Sequence, residues 1–104
     1  MKPNKEPISA DFSEVKRNLD PAFSYVVFVR EAGSWRDKGF VEIMEVFSRL
    51  KEKVISSEIY MDQSASEFML IVTIEPEESE MIMQEILEAG LPEDIVFYLY
   101  GSSR

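Results

Sequence analysis

The segment EFMLIVTI, residues 67–74, is apolar at nearly every position. Successive side chains of a strand point to opposite faces of its sheet. Phe68, Leu70, Val72 and Ile74 therefore line one face, and Met69, Ile71 and Thr73 the other. FSYVVFVR (23–30) behaves in the same way, with Val26 and Phe28 alternating with Tyr25, Val27 and Val29. In IVFYLY (95–100), Val96, Tyr98 and Tyr100 alternate with Ile95, Phe97 and Leu99. A chain with three such strands must find cover for both faces of one sheet. The uninterrupted 67–74 strand belongs in its middle, because only a strand buried on both sides has a use for two apolar faces.

The segments between these strands alternate in period. GFVEIMEVFSRLKEK (39–53) places Phe40, Ile43, Met44, Phe47 and Leu50 at helical spacing. VISSEIYM (54–61) reads as a strand with Ile55, Ile59 and Met61 on one face, and DQSAS (62–66) as a turn. Pro76 opens a second helix whose first turn holds Glu77, Glu78 and Glu80, where carboxylates suit the helix dipole. Ile82, Met83, Ile86 and Leu87 form its apolar stripe, and Gly90 is placed to stop it. The order β-α-β-β-α-β over residues 23–101 predicts an α+β, ferredoxin-like two-layer sandwich. Its four-stranded antiparallel sheet would carry both helices on one face, with the first and third strands central. Residues 1–22 read as an N-terminal extension with a short helix: Ser9 as N-cap, Phe12, Val15 and Leu19 on one face, and Asp20-Pro21 as its end.

Two helices on one face leave the other apolar face open, and several hundred Å² of apolar sheet calls for cover. The expected cover is a second copy, giving a homodimer packed by sheet faces or by edge strands. The N-terminal segment is the alternative.

Composition removes several function classes. The chain of 104 residues has no cysteine and no histidine. Disulfides, thiolate metal sites and imidazole acid–base chemistry are therefore closed to it. Asp62, Ser64 and Ser66 have the spacing of a calcium loop, but Glu67 stands where glycine is needed and Thr73 where glutamate is needed. No metal or cofactor is expected. The net charge of −9 is unevenly spread: residues 54–104 hold eleven acids and one base, Arg104. Such a chain is poorly attracted to nucleic acid or anionic lipid, and its strands lack the aromatic RNA-binding pattern. No apolar run reaches membrane-span length, and the expected location is cytoplasmic.

Two features remain as candidate sites. The stretch REAGSWRDKG (30–39) gathers Arg30, Gly33, Ser34, Trp35, Arg36, Asp37, Lys38 and Gly39. Ser34 and Asp37 suit a helix N-cap, and the three cations suit a small anion at a helix N-terminus. The alternative is a capped helix whose Trp35 folds over the core edge. The second feature is the acidic helix, where Glu77, Glu80 and Glu88 form a surface for a basic partner, or simply a solvated face. An enzyme built from these residues would need carboxylate or lysine chemistry, and the sequence places no carboxylate in a pocket. The reading is a dimeric ligand-sensing or regulatory domain, with an acidic adaptor and an unrecognised small enzyme as alternatives.

DKGFVEIMEVFSRL, followed by the strand VISSEIYM, resembles the opening of an ACT domain, a small regulatory module of ferredoxin-like order. The resemblance implies that Asp37 and Gly39 form a turn opening the first helix. It also implies an amino acid or similar effector enclosed between that turn and the facing strands of a dimer.

Overall fold

The computed structural model describes residues 8–33 and 40–101. Its sheet has five strands: β1 (Ile8–Ser9), β2 (Ser24–Glu31), β3 (Val54–Asp62), β4 (Glu67–Ile74) and β5 (Val96–Gly101). The helices described with it are α1 (Phe12–Arg17), α2 (Val41–Ser48) and α3 (Ser79–Ala89). The strand order is β1-β3-β4-β2-β5, with β1 parallel to β3 and the other pairs antiparallel. The expected four-stranded, fully antiparallel ferredoxin-like sandwich is thereby corrected to a five-stranded mixed sheet with helices on both faces. The cause lies in the N-terminal segment. Ile8 and Ser9 pair with Tyr60 and Met61, and the Ala10 amide donates to the Met61 carbonyl at 3.0 Å. Ser9, expected as a helix cap, is thus a strand residue. Asp11 caps α1 instead, accepting from the Ser13 amide at 2.8 Å.

β2 and β4 are flanked by strands on both sides, and their two apolar faces feed two separate cores. On one face, Val26, Phe28, Leu70 and Val72 pack against Ile43, Val46 and Phe47 of α2 and Ile82 and Ile86 of α3. Phe28 meets Phe47 edge to face, and Phe97 by stacking, each at 5.9 Å between ring centroids. Both arrangements are favoured by the ring quadrupole. On the other face, Tyr25, Val27, Met69 and Ile71 are covered by Phe12 and Val15 of α1 and by Leu19 just beyond it. The N-terminal segment, the alternative cover expected from the sequence, lies over this face.

Two details show how backbone chemistry sets the register. Ile55, expected to face the core beside Ile59 and Met61, is 48% exposed. A register shift between Val54 and Ser56 turns the strand over: Val54, Ile59 and Met61 reach the helix-side core while Ile55 faces out. One extra residue in a strand exchanges its faces. At the far end of the sheet, Gly101 has φ +98°, and a Cβ there would sit 2.9 Å from the Phe23 carbonyl. Only glycine tolerates both conditions. Gly90 ends α3 in the left-handed conformation at φ +67°, where glycine carries no steric cost.

Candidate functional site

Arg30 leaves β2 on the helix side and is 2% exposed. Its guanidinium takes Asp94 through two bonds, Nε to Oδ2 at 2.9 Å and Nη2 to Oδ1 at 3.1 Å. Glu42 of α2 accepts from Nη1 and Nη2 at 3.2 and 3.4 Å. The hydrogen bond to Asp94 raises the Arg30 pKa most, burial opposes it, and Glu42 adds to the rise. Arg30 therefore ties β2 to α2 and to the segment before β5, with its charge taken up by two carboxylates. Arg30, expected beside a bound anion, forms ion pairs with Glu42 and Asp94 in this structure. Gly33 is exposed, and nothing lies within 4 Å of where its Cβ would be. Ser34, Trp35, Arg36, Asp37, Lys38 and Gly39 lie outside the described residues. α2 itself begins at Val41 with Phe40 in the N-cap position and no side-chain cap.

Glu77, Glu80 and Glu88 are exposed on and just before α3. Leu87, expected in the buried stripe, is 63% exposed among them, while Ile82 and Ile86, with the partly buried Met81 and Met83, make the contact of α3 with the core.

A cleft with polar groups over an apolar floor lies elsewhere among the described residues, under the C-terminal end of α1. The cleft, of about 380 Å³, is lined by Val15, Asn18, Leu19, Asp20, Tyr25, Glu58, Tyr60, Ile71 and Thr73. Strand alternation explains the sheet contribution. Glu58 and Tyr60 of β3 face opposite to the buried Ser57 and Ile59, and Tyr25, Ile71 and Thr73 point the same way from β2 and β4. The chain leaving α1 closes the top. The Asp20 amide donates to the Tyr25 hydroxyl at 2.8 Å, and Asp20 Oδ1 accepts from the Ala22 amide at 2.8 Å, so the turn at Pro21 is fixed over the sheet.

The polar rim is anionic. The Tyr60 hydroxyl donates to Glu58 Oε2 at 3.1 Å. Burial, with the neighbouring Glu58 charge, pushes the Tyr60 pKa up to about 12, so the phenol stays a donor at every ordinary pH. Among the described residues, neither Glu58 nor Asp20 takes part in an ion pair. The cations of α1 lie on the other side of Leu19: Lys16 and Arg17 line a neighbouring hollow with Tyr100, and the Lys16 ammonium sits 5.0 Å from the centre of the Tyr98 ring. A second groove, between α2 and the C-terminal end of α3, is larger, and Val46, Ala89 and Leu91 line it together with Glu42, Glu45 and Arg49.

At the other end of α1, Asp62 anchors the strap. Its Oδ1 accepts from Ser64 Oγ at 2.7 Å and from the Ser64 and Ala65 amides, while Oδ2 lies 3.5 Å from the Phe12 amide. The Ser64 hydroxyl bond contributes most to holding the Asp62 pKa below the usual carboxylate value. The residues read as a failed calcium loop thus organise a hairpin turn and hold the start of α1. Among the described residues, no three His, Cys, Asp or Glu side chains are grouped to hold a metal ion, and no helix is long and apolar enough to cross a membrane.

Sequence reasoning missed this cleft because it treated residues 1–22 as an appendage and looked for function in the first loop. The available signal was the match between Phe12, Val15 and Leu19 and an uncovered apolar sheet face. Comparison with protein-family models, with curated proteins and with solved structures found no match.

Proposed function

We propose that this domain is a small-ligand binding module whose site is the cleft between α1 and the sheet. The carrying observation is the combination of an apolar floor, Leu19, Tyr25 and Ile71, with two carboxylates, Glu58 and Asp20, that have no cationic partner among the described residues. A concave apolar pocket with a few convergent polar groups is the usual form of a small-molecule site. The charge selects the ligand: an ammonium or other cationic head for Glu58 and Asp20, and an apolar body for the floor. Tyr60 holds Glu58 by donating to it and fixes the direction of the free carboxylate oxygen. The groups present favour a binding role. No imidazole or thiol exists, and the buried arginine is committed to structure.

The test is a titration of ¹⁵N-labelled protein with n-butylamine and phenethylamine. Shift changes are expected at Asn18, Asp20, Tyr60 and Thr73, and Glu58→Gln should weaken them by about tenfold, the cost of one charge-assisted contact. Butyrate serves as the control. If butyrate perturbs Trp35 emission while the amines leave the cleft unchanged, the site lies in the 30–39 loop and the cleft assignment fails.

A second reading rests on α3. Leu87 stands exposed among Glu77, Glu80 and Glu88, which suits a basic amphipathic segment of another protein. Replacing all three glutamates by lysine should abolish capture of such a partner, and capture should weaken with salt.

A further inference from the structure

We infer that β5 is the seam of a homodimer, pairing antiparallel with β5 of a second copy so that the two sheets run on as one. The sheet's two edges are finished differently. The β3 edge is covered by β1, and β3 itself carries Glu58 and Asp62. The outer edge of β5 has no strand beside it among the described residues. Its six residues, VFYLYG, include no charge and no proline, and β5 runs straight along β2 with no shift of register. Charged residues, prolines, bulges and covering strands are the usual means of keeping such edges apart, and β5 has none of them.

The occupant that fits is a copy of the same strand. An antiparallel edge placed against itself across a two-fold axis offers each unpaired amide a carbonyl, with no second surface to be specified. The side chains gain cover as well. Val96 is 62% exposed, and Phe97 to Tyr100 are each only half-buried although they carry aromatic or aliphatic groups on both faces. The opposed sheet-face dimer has no such opening, since α1 occupies that face. A strand pair of this length buries less than the roughly 1,200 Å² of a stable interface, which places the association in the weak, concentration-dependent class. At net −9 per chain the two copies also repel, so salt should strengthen the dimer.

Sedimentation equilibrium over about 5 to about 500 µM tests this, a range chosen for an interface of the weak class. The wild-type chain is expected to pass from 12.0 kDa toward twice that mass, at lower concentration in high salt. Val96→Lys should stay monomeric throughout with an unchanged circular dichroism spectrum. Leu87→Lys, equally exposed but on α3, should associate as the wild type does. Hydrogen exchange should slow with concentration at alternate β5 amides. A wild type that stays at 12.0 kDa overturns the proposal. So does a Val96→Lys variant that dimerises fully, or a dimer lost only in Leu87→Lys, because either result puts the seam elsewhere.

Discussion

The two faces of the sheet are built from the same strands and covered in different ways. The helix-side face is closed by α2 and α3, which bury Ile43, Val46, Phe47, Ile82 and Ile86 against it and leave Phe28 inaccessible. The opposite face is closed by a six-residue helix whose apolar residues are only partly buried, and the cleft opens under its C-terminal end. A helix this short has no stability of its own and holds its place through contacts at its ends. Those contacts are named and few: the β1 pairing, the Phe12–Asp62 bond and the Asp20–Tyr25 bond. The comparison teaches that one face carries the global stability, while the other can open locally. Ligand sites belong to the less stable parts of a fold.

The largest effect that tests this contrast comes from matched truncations. Phe47→Ala removes a fully buried ring from the helix-side core and should cost about 3–5 kcal/mol. Leu19→Ala on the strap should cost about 1–2 kcal/mol in denaturant unfolding, because less area leaves water there. Equal losses would erase the distinction between the faces. Next in size is the Arg30 cluster. Asp94→Ala should cost about 2 kcal/mol, less than a fully broken buried pair because Glu42 stays on the guanidinium. Adding Glu42→Ala should cost more than the sum of the two single changes, since Arg30 is then buried with neither carboxylate.

Acid should separate the faces without mutation. Asp62 has a folded pKa below its unfolded value, so its contribution is present above the unfolded pKa and is lost as pH falls through the folded one. Amides of α1 and of the 62–66 turn should therefore lose protection below about pH 4, before those of α2 and α3. In Asp62→Asn this acid step should disappear. The smallest expected effect is a gain. The buried Tyr98 hydroxyl has no hydrogen-bond partner among the described residues, and Tyr98→Phe should stabilise by up to about 1 kcal/mol.

Much of the sheet was legible because period-two alternation is a strong signal. The partition of β2, β4 and β5 side chains between two faces follows the sequence residue by residue. Ile55 escaped because a one-residue register shift leaves no mark in composition. β1 escaped because two residues, Ile8 and Ser9, carry no periodicity at all, and with β1 went the mixed sheet. Arg30 looked like a loop cation because the acids that claim it, Glu42 and Asp94, are far away in sequence. The cleft was hidden for the same reason. Its walls come from residues 15–25, 58–60 and 71–73, and only the fold brings them together.

Native-state hydrogen exchange with and without n-butylamine tests the central claim most directly, because it reads both faces at once. The Ala10 and Asp20 amides, which donate to the Met61 carbonyl and the Tyr25 hydroxyl, should exchange through local opening, faster than the Leu70 amide in the sheet. The amine should slow them while leaving α2 and α3 unchanged. If Ala10 and Asp20 exchange only with global unfolding, or if the amine protects the helix-side face instead, the account is contradicted.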